Sequence, residues 1–141
     1  MSITNSFNQS VMPADQRVNI EDIVLHHKMW LETNDGLGIL GDGKWIILKA
    51  VEQEGSLTGA CQKLGLTYRR TWGDLKKIEQ QLGFPLLNKS RGGKEGGMSE
   101  LSPQGKALTT AFDHFHNRVD EVVAEAFDTF RDTLRELEKM Q

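Results

Sequence analysis

Between Lys44 and Leu82 apolar residues return every three or four positions, and glycines interrupt the rhythm at Gly55, Gly65 and Gly83. That spacing predicts three helices. The first starts at Lys44, carries Trp45, Ile47, Leu48 and Val51 on one face, and stops at Gly55. The second is N-capped by Ser56 and turns Leu57, Ala60, Cys61 and Leu64 inward before Gly65. Only Gly65 and Leu66 separate it from the third, which Thr67 can cap and whose inward stripe is Tyr68, Trp72, Leu75, Ile78 and Leu82. Two helices joined by so short a turn, with a small inward residue at Ala60, meet the requirements of a helix-turn-helix. Upstream, Val24 to Thr33, the Asn34-Asp35-Gly36 turn and Leu37 to Leu40 read as a β-hairpin. Downstream, Phe84 to Leu87 and Met98 to Leu101 read as a strand and its return. Ser102-Pro103 then opens a helix of about 35 residues, about 50 Å long at 1.5 Å per residue. Its apolar positions are Leu108, Phe112, Phe115, Val119, Val122 and Ala126, with Val123, Phe127, Phe130, Leu134 and Leu137 on an adjoining stripe. The chain's own hairpin could cover the first half of such a helix, and a second subunit is the natural cover for the rest.

With 141 residues the chain has room for one domain and an appendage. Its 38% hydrophobic and 26% charged residues suit an ordinary globular core and exclude disordered and collagen-like classes. No apolar run approaches the roughly 18 residues of a spanning helix, and the polar opening is unlike a secretory signal, so a cytoplasmic location is expected. The single cysteine, Cys61, reads as core packing; a catalytic thiol would need an activating neighbour, and the nearest histidines in sequence are His27 and His114. Charge changes the picture more. Residues 1–43 hold 2 Lys/Arg against 6 Asp/Glu and residues 107–141 hold 4 against 8, whereas residues 44–106 hold 11 against 6. A basic centre between acidic flanks suggests a polyanion-binding surface.

The candidate chemistry gathers in that centre. Arg69, Arg70, Gly73, Lys76 and Lys77 share the outer face of the third helix, and two arginines in a first helical turn oppose the helix dipole unless an anion compensates them. The loop Asn88 to Gly97 has four glycines with Lys89, Arg91 and Lys94, a cationic tip between two strands. It lacks the GxxxxGK[ST] spacing of a nucleotide-binding loop. His26 with His27 and His114 with His116 lack metal-ligand spacing. Asp113, Asp120, Glu121, Glu125 and Asp128 read as a solvated helix face. No nucleophile, base and acid fall together, so neither an enzyme nor a cofactor is expected.

The stretch from Gly55 to Leu108 resembles the winged-helix DNA-binding domain of ModE-type, molybdate-responsive transcriptional regulators, and more distantly that of LysR-type regulators. The resemblance rests on the Gly-Ser-Leu opening of the second helix, the TYRRTW run from Thr67 to Trp72, the GFPLL strand, the double-glycine loop and the LSPQG helix start. It implies a homodimeric, bacterial or archaeal DNA-binding protein with Tyr68, Arg69 and Arg70 in the major groove and Lys89, Arg91 and Lys94 on a wing. The family's sensing members carry a molybdate-binding region after this half. No residue here matches that oxyanion motif, so molybdate binding is not expected.

The expected fold is mainly α with small β (α+β), a winged helix-turn-helix with an N-terminal hairpin and a long C-terminal dimerisation helix. Residues 1–17 are expected to form a mobile arm, 18–101 the DNA-binding domain and 102–141 the dimerisation helix. The expected function is sequence-specific DNA-binding transcriptional regulation by a homodimer. The DNA-binding residues would be Ser56, Thr67, Tyr68, Arg69, Arg70, Lys76, Lys77, Lys89, Arg91 and Lys94. The dimer would use Phe112, Phe115, Val119, Val122, Val123, Phe127, Phe130 and Leu134. Two alternatives remain open at this point: a protein-interaction module pairing through the C-terminal helix with another regulator, and an oxyanion-binding dimer interface using Arg118, Arg131 and Arg135.

Overall fold

In a computed structural model, residues 16–88 and 99–140 are described. The chain divides into two compact units, His27–Val122 and a smaller one of residues 16–26 with 123–140. The expected arm, residues 1–17, lies almost wholly outside the described residues.

The larger unit opens with β1 (Trp30–Glu32), paired antiparallel to β2 (Gly38–Gly41) through Leu31↔Leu40 and Glu32↔Gly38, with an irregularity between Leu31 and Glu32. The hairpin is shorter than the pattern suggested. Residues 24–29 join no ladder, because β2 ends at Gly41 and leaves them no partner strand. At the turn, the Thr33 amide donates to the Leu37 carbonyl and the Leu37 amide to Thr33 Oγ1.

Helix α1 (Asp42–Glu54) begins two residues before the expected Lys44, since Gly41 supplies the extended N-cap and Asp42 places its carboxylate in the first turn. Helix α2 (Leu57–Leu64) is capped by Ser56, whose hydroxyl accepts from the Gly59 amide at 3.0 Å. Gly65 follows at φ 67°, the left-handed conformation that lets the chain double back within two residues into α3 (Tyr68–Leu82). Thr67 stands at the N-cap of α3 without making a side-chain cap bond. Its carbonyl instead accepts from Thr71 Oγ1 at 2.9 Å.

Leu48, Val51, Leu57, Ala60, Leu75, Ile78 and Leu86 form the centre of the core, and Cys61 is buried among them. Helix α4 (Pro103–Lys139) starts where the expected signal lay. Ser102 is 1% exposed; its hydroxyl donates to the Pro85 carbonyl at 2.6 Å and accepts from the Gly105 amide at 2.9 Å. The base of the expected wing is an antiparallel bridge between Leu87 and Leu101. Gly105 lies so close to it that a Cβ there would stand 2.2 Å from the Leu86 carbonyl oxygen. Together these elements form the winged helix-turn-helix, mainly α with a small sheet.

The first half of α4 packs on α1 through Phe112, which is 5% exposed and lies 5.8 Å from the Trp45 ring. His116 stacks on the same indole at 4.3 Å, with Nε2 3.2 Å from Asp42 Oδ1 and Nδ1 3.1 Å from Asp120 Oδ2. His27 Nε2 reaches the other oxygen of Asp120 at 3.1 Å. Both histidines are thus held by carboxylates.

In the smaller unit, a 3-10 turn at Ile20–Asp22 is capped by Asn19 and faces the second half of α4. Arg135 forks both oxygens of Glu21 at 2.7 Å, and Arg131 donates to the Ile23 carbonyl at 2.6 Å. The Arg135 hydrogen bond holds the Glu21 carboxyl below its usual range, against the opposing effect of desolvation. This half of α4 is partly covered by the segment preceding the hairpin, and the two arginines weighed for an oxyanion site are engaged there.

Candidate nucleic-acid interface

Three of the cationic residues on α3 stand clear of the fold. Arg69, Arg70 and Lys77 are exposed and have no ion pair among the described residues. Gly73 is exposed between them, which leaves the middle of that face without a side chain. Tyr68 is half-buried against the core, and Thr67 is exposed at the turn.

Lys76 differs from the free cation that spacing suggested. Its ammonium lies 3.1 Å from Glu79 Oε1 and 5.4 Å from the centre of the Trp72 ring, and the residue is half-buried. Glu79 in turn accepts from the Leu86 and Leu87 amides at 2.8 and 3.1 Å, so it ties α3 to the base of the wing. Burial alone would raise the Glu79 carboxyl, but the Leu87 and Leu86 amides, with Lys76, outweigh it and hold the group below the usual carboxylate range.

Ser56 lies at the start of α2. It is 8% exposed, its hydroxyl caps Gly59, and the neighbouring Leu57 amide donates to the Ser99 carbonyl at 2.8 Å. The Leu57 and Gly59 amides of the first turn are thus bonded inside the fold. Lys89, Arg91 and Lys94 lie outside the described residues.

The sequence reading also placed Trp72 in the core, whereas Trp72 is 42% exposed and Thr71, 4% exposed, takes the inward position. Residues 71, 75, 78 and 82 keep the same helical spacing as the expected stripe. A threonine whose hydroxyl bonds the carbonyl four residues back can be buried at little cost. Glu79 and the Lys44–Asp74 pair, 3.2 Å apart, were not legible, because both depend on contacts distant in sequence.

Among the expected dimer positions, Phe112 is buried in the chain's own core beside Trp45. Phe115, Val122 and Phe130 are exposed at 48%, 46% and 55%, and Val119, Val123, Phe127 and Leu134 are half-buried. No group of His, Cys, Asp and Glu among the described residues is arranged to hold a metal ion, and no helix among them is long and apolar enough to cross a membrane.

A helix-turn-helix with an exposed cationic second helix and an adjoining wing base is an arrangement that DNA-binding modules use. Residues 44–106 match the model of the bacterial regulatory helix-turn-helix protein, lysR family. The chain is homologous at modest identity to ModE and Mop proteins, a closer resemblance than that to the LysR type. It is 27% identical to the molybdenum-pterin-binding protein MopB of Rhodobacter capsulatus over 95 residues, 67% of this chain and 34% of that protein. It is 26% identical to the molybdenum transport protein ModE of Azotobacter vinelandii over 115 residues, 74% of this chain and 42% of that protein. The chain thus spans well under half the length of these relatives. Among solved structures it is similar to the BenM DNA-binding domain in complex with benA site 1 DNA, with 24% identity, a TM-score of 0.47, and coverage of 60% of this chain and 92% of that one.

Proposed function

We propose that this protein is a sequence-specific DNA-binding transcriptional regulator that acts as a homodimer in the cytoplasm. The observation that carries the reading is the outer face of α3, where Arg69, Arg70 and Lys77 stand exposed without ion pairs among the described residues. Uncompensated cations beside a helix N-terminus need an anionic partner, and a helix presented by a short turn fits the major groove of duplex DNA. Arg69 and Arg70 read guanine edges there, since a bidentate arginine is the commonest specific contact. Lys77 and the wing residues Lys89, Arg91 and Lys94 neutralise phosphates, with Lys76 contributing from its place beside Glu79. Tyr68 and Thr67 line the approach at the turn.

Dimerisation is assigned to α4, which presents exposed Phe115 and Val122 in its first half and exposed Phe130 and Leu137 in its second. Large apolar side chains left in water on a long helix favour a partner surface of the same kind. Val119, Val123, Phe127 and Leu134 would border that contact.

The test is the salt dependence of binding to duplex DNA. A steep fall in affinity with salt is expected, and Lys77→Ala should make the slope of log K against log salt shallower by about one. Weak binding that ignores salt would contradict the reading.

A further inference from the structure

We infer that Trp72 is a base-reading residue whose indole packs against a thymine methyl group in the major groove and adds a sequence preference to that of the arginines. The inference rests on the regulator reading above. Its starting point is the exchange of places on α3: the inward row is Thr71, Leu75 and Ile78, and Trp72, one residue further round, is 42% exposed. At 100° per residue Trp72 falls on the flank that also carries Arg69 three residues before it and Lys76 four residues after it.

Leaving a large aromatic ring half in water while a threonine occupies the core forgoes much of the burial an indole could gain. A surface able to cover this ring must also accept the cations around it, since Arg69, Arg70 and Lys77 have no ion pair among the described residues. An apolar protein surface would bury those charges without partners, at a large cost. Duplex DNA satisfies both demands, because its groove is rimmed by phosphates and its floor carries apolar patches only where a thymine C5-methyl projects. The ring is also held in place. Lys76 lies 5.4 Å over it and is itself fixed by Glu79 at 3.1 Å, which in turn is fixed by the Leu86 and Leu87 amides. A side chain braced in this way meets the groove with little conformational freedom left to lose.

The experiment takes a duplex selected from a random pool by the wild-type chain and replaces each thymine in turn by uracil, which removes only the methyl group. The wild type is expected to lose about tenfold in affinity at one thymine per half-site, and Trp72→Ala to bind the parent duplex more weakly and to treat thymine and uracil there alike. Should Trp72→Ala fail to fold, as judged by its melting curve, Trp72→Phe replaces it and is expected to retain part of the thymine preference. The fluorescence change on adding DNA should also shrink in Trp72→Phe. The inference is overturned if the variant keeps the wild-type thymine preference, if its affinity falls equally on every duplex, or if no uracil substitution weakens the wild type. A wild type that selects no motif overturns the regulator reading itself, and this inference with it.

Discussion

Gly105 shows how one missing side chain fixes the position of a helix. A Cβ there would stand 2.2 Å from the Leu86 carbonyl oxygen, so only glycine lets the start of α4 rest on the wing base. Gly105→Ala is expected to cost about 1–3 kcal/mol, as overpacking does, and to lower the melting temperature measurably. Glu79 acts through charge. Its carboxylate serves the Leu86 and Leu87 amides and Lys76 at once, and its folded pKa lies below the ordinary value of 4.5. A depressed pKa contributes stability that is fully present above the ordinary value and disappears as pH falls through the folded one. Glu79→Gln should therefore be less stable than wild type near neutral pH, by about 1 kcal/mol, with the gap closing below about pH 4.5 in urea titrations. A gap that stays constant into acid would show that the charge of Glu79 contributes nothing.

At the scale of elements, the helix-turn-helix follows from local chemistry and the hairpin does not. Ser56, Gly65 and the apolar spacing set the ends of α2 and α3 as the sequence indicated, because capping and periodicity act within one or two turns. Removing the cap with Ser56→Ala should cost about 1 kcal/mol by thermal or urea unfolding. Leu75→Ala, which empties the centre of the core, should cost about 2–5 kcal/mol. The strand expected from Val24 shrinks to Trp30–Glu32 because ladder length depends on the partner strand, which β-propensity alone does not report. The choice between Thr71 and Trp72 failed for a related reason. Both fit the helical period, and tertiary packing decided which one faced inward. The cationic face was legible, since it needs only the helical period of α3. The surroundings of Lys76 and of the Leu57 amide were not, because the Leu86 and Leu87 amides that hold Glu79, and the Ser99 carbonyl, come from other parts of the chain.

At the scale of the whole molecule, the uneven charge along the chain matches a division of labour. The basic middle holds α2 and α3, and the acidic C-terminal segment holds most of α4, whose negative residues would repel DNA and suit a protein contact instead. Phe130, 55% exposed on α4, gives a direct test of that contact. Phe130→Glu should shift sedimentation from dimer toward monomer and leave the circular dichroism of the domain unchanged; a wild type that is monomeric at all concentrations would remove the dimer from the proposal.

The central claim is that the outer face of α3 reads DNA sequence. It is tested most directly by selecting duplexes from a random pool with the wild-type chain beside an Arg69→Ala/Arg70→Ala double variant, at about physiological salt. The expected result is a two-fold symmetric motif enriched by the wild type and lost in the variant. Enrichment of the same motif by both chains, or of none by either, would contradict it.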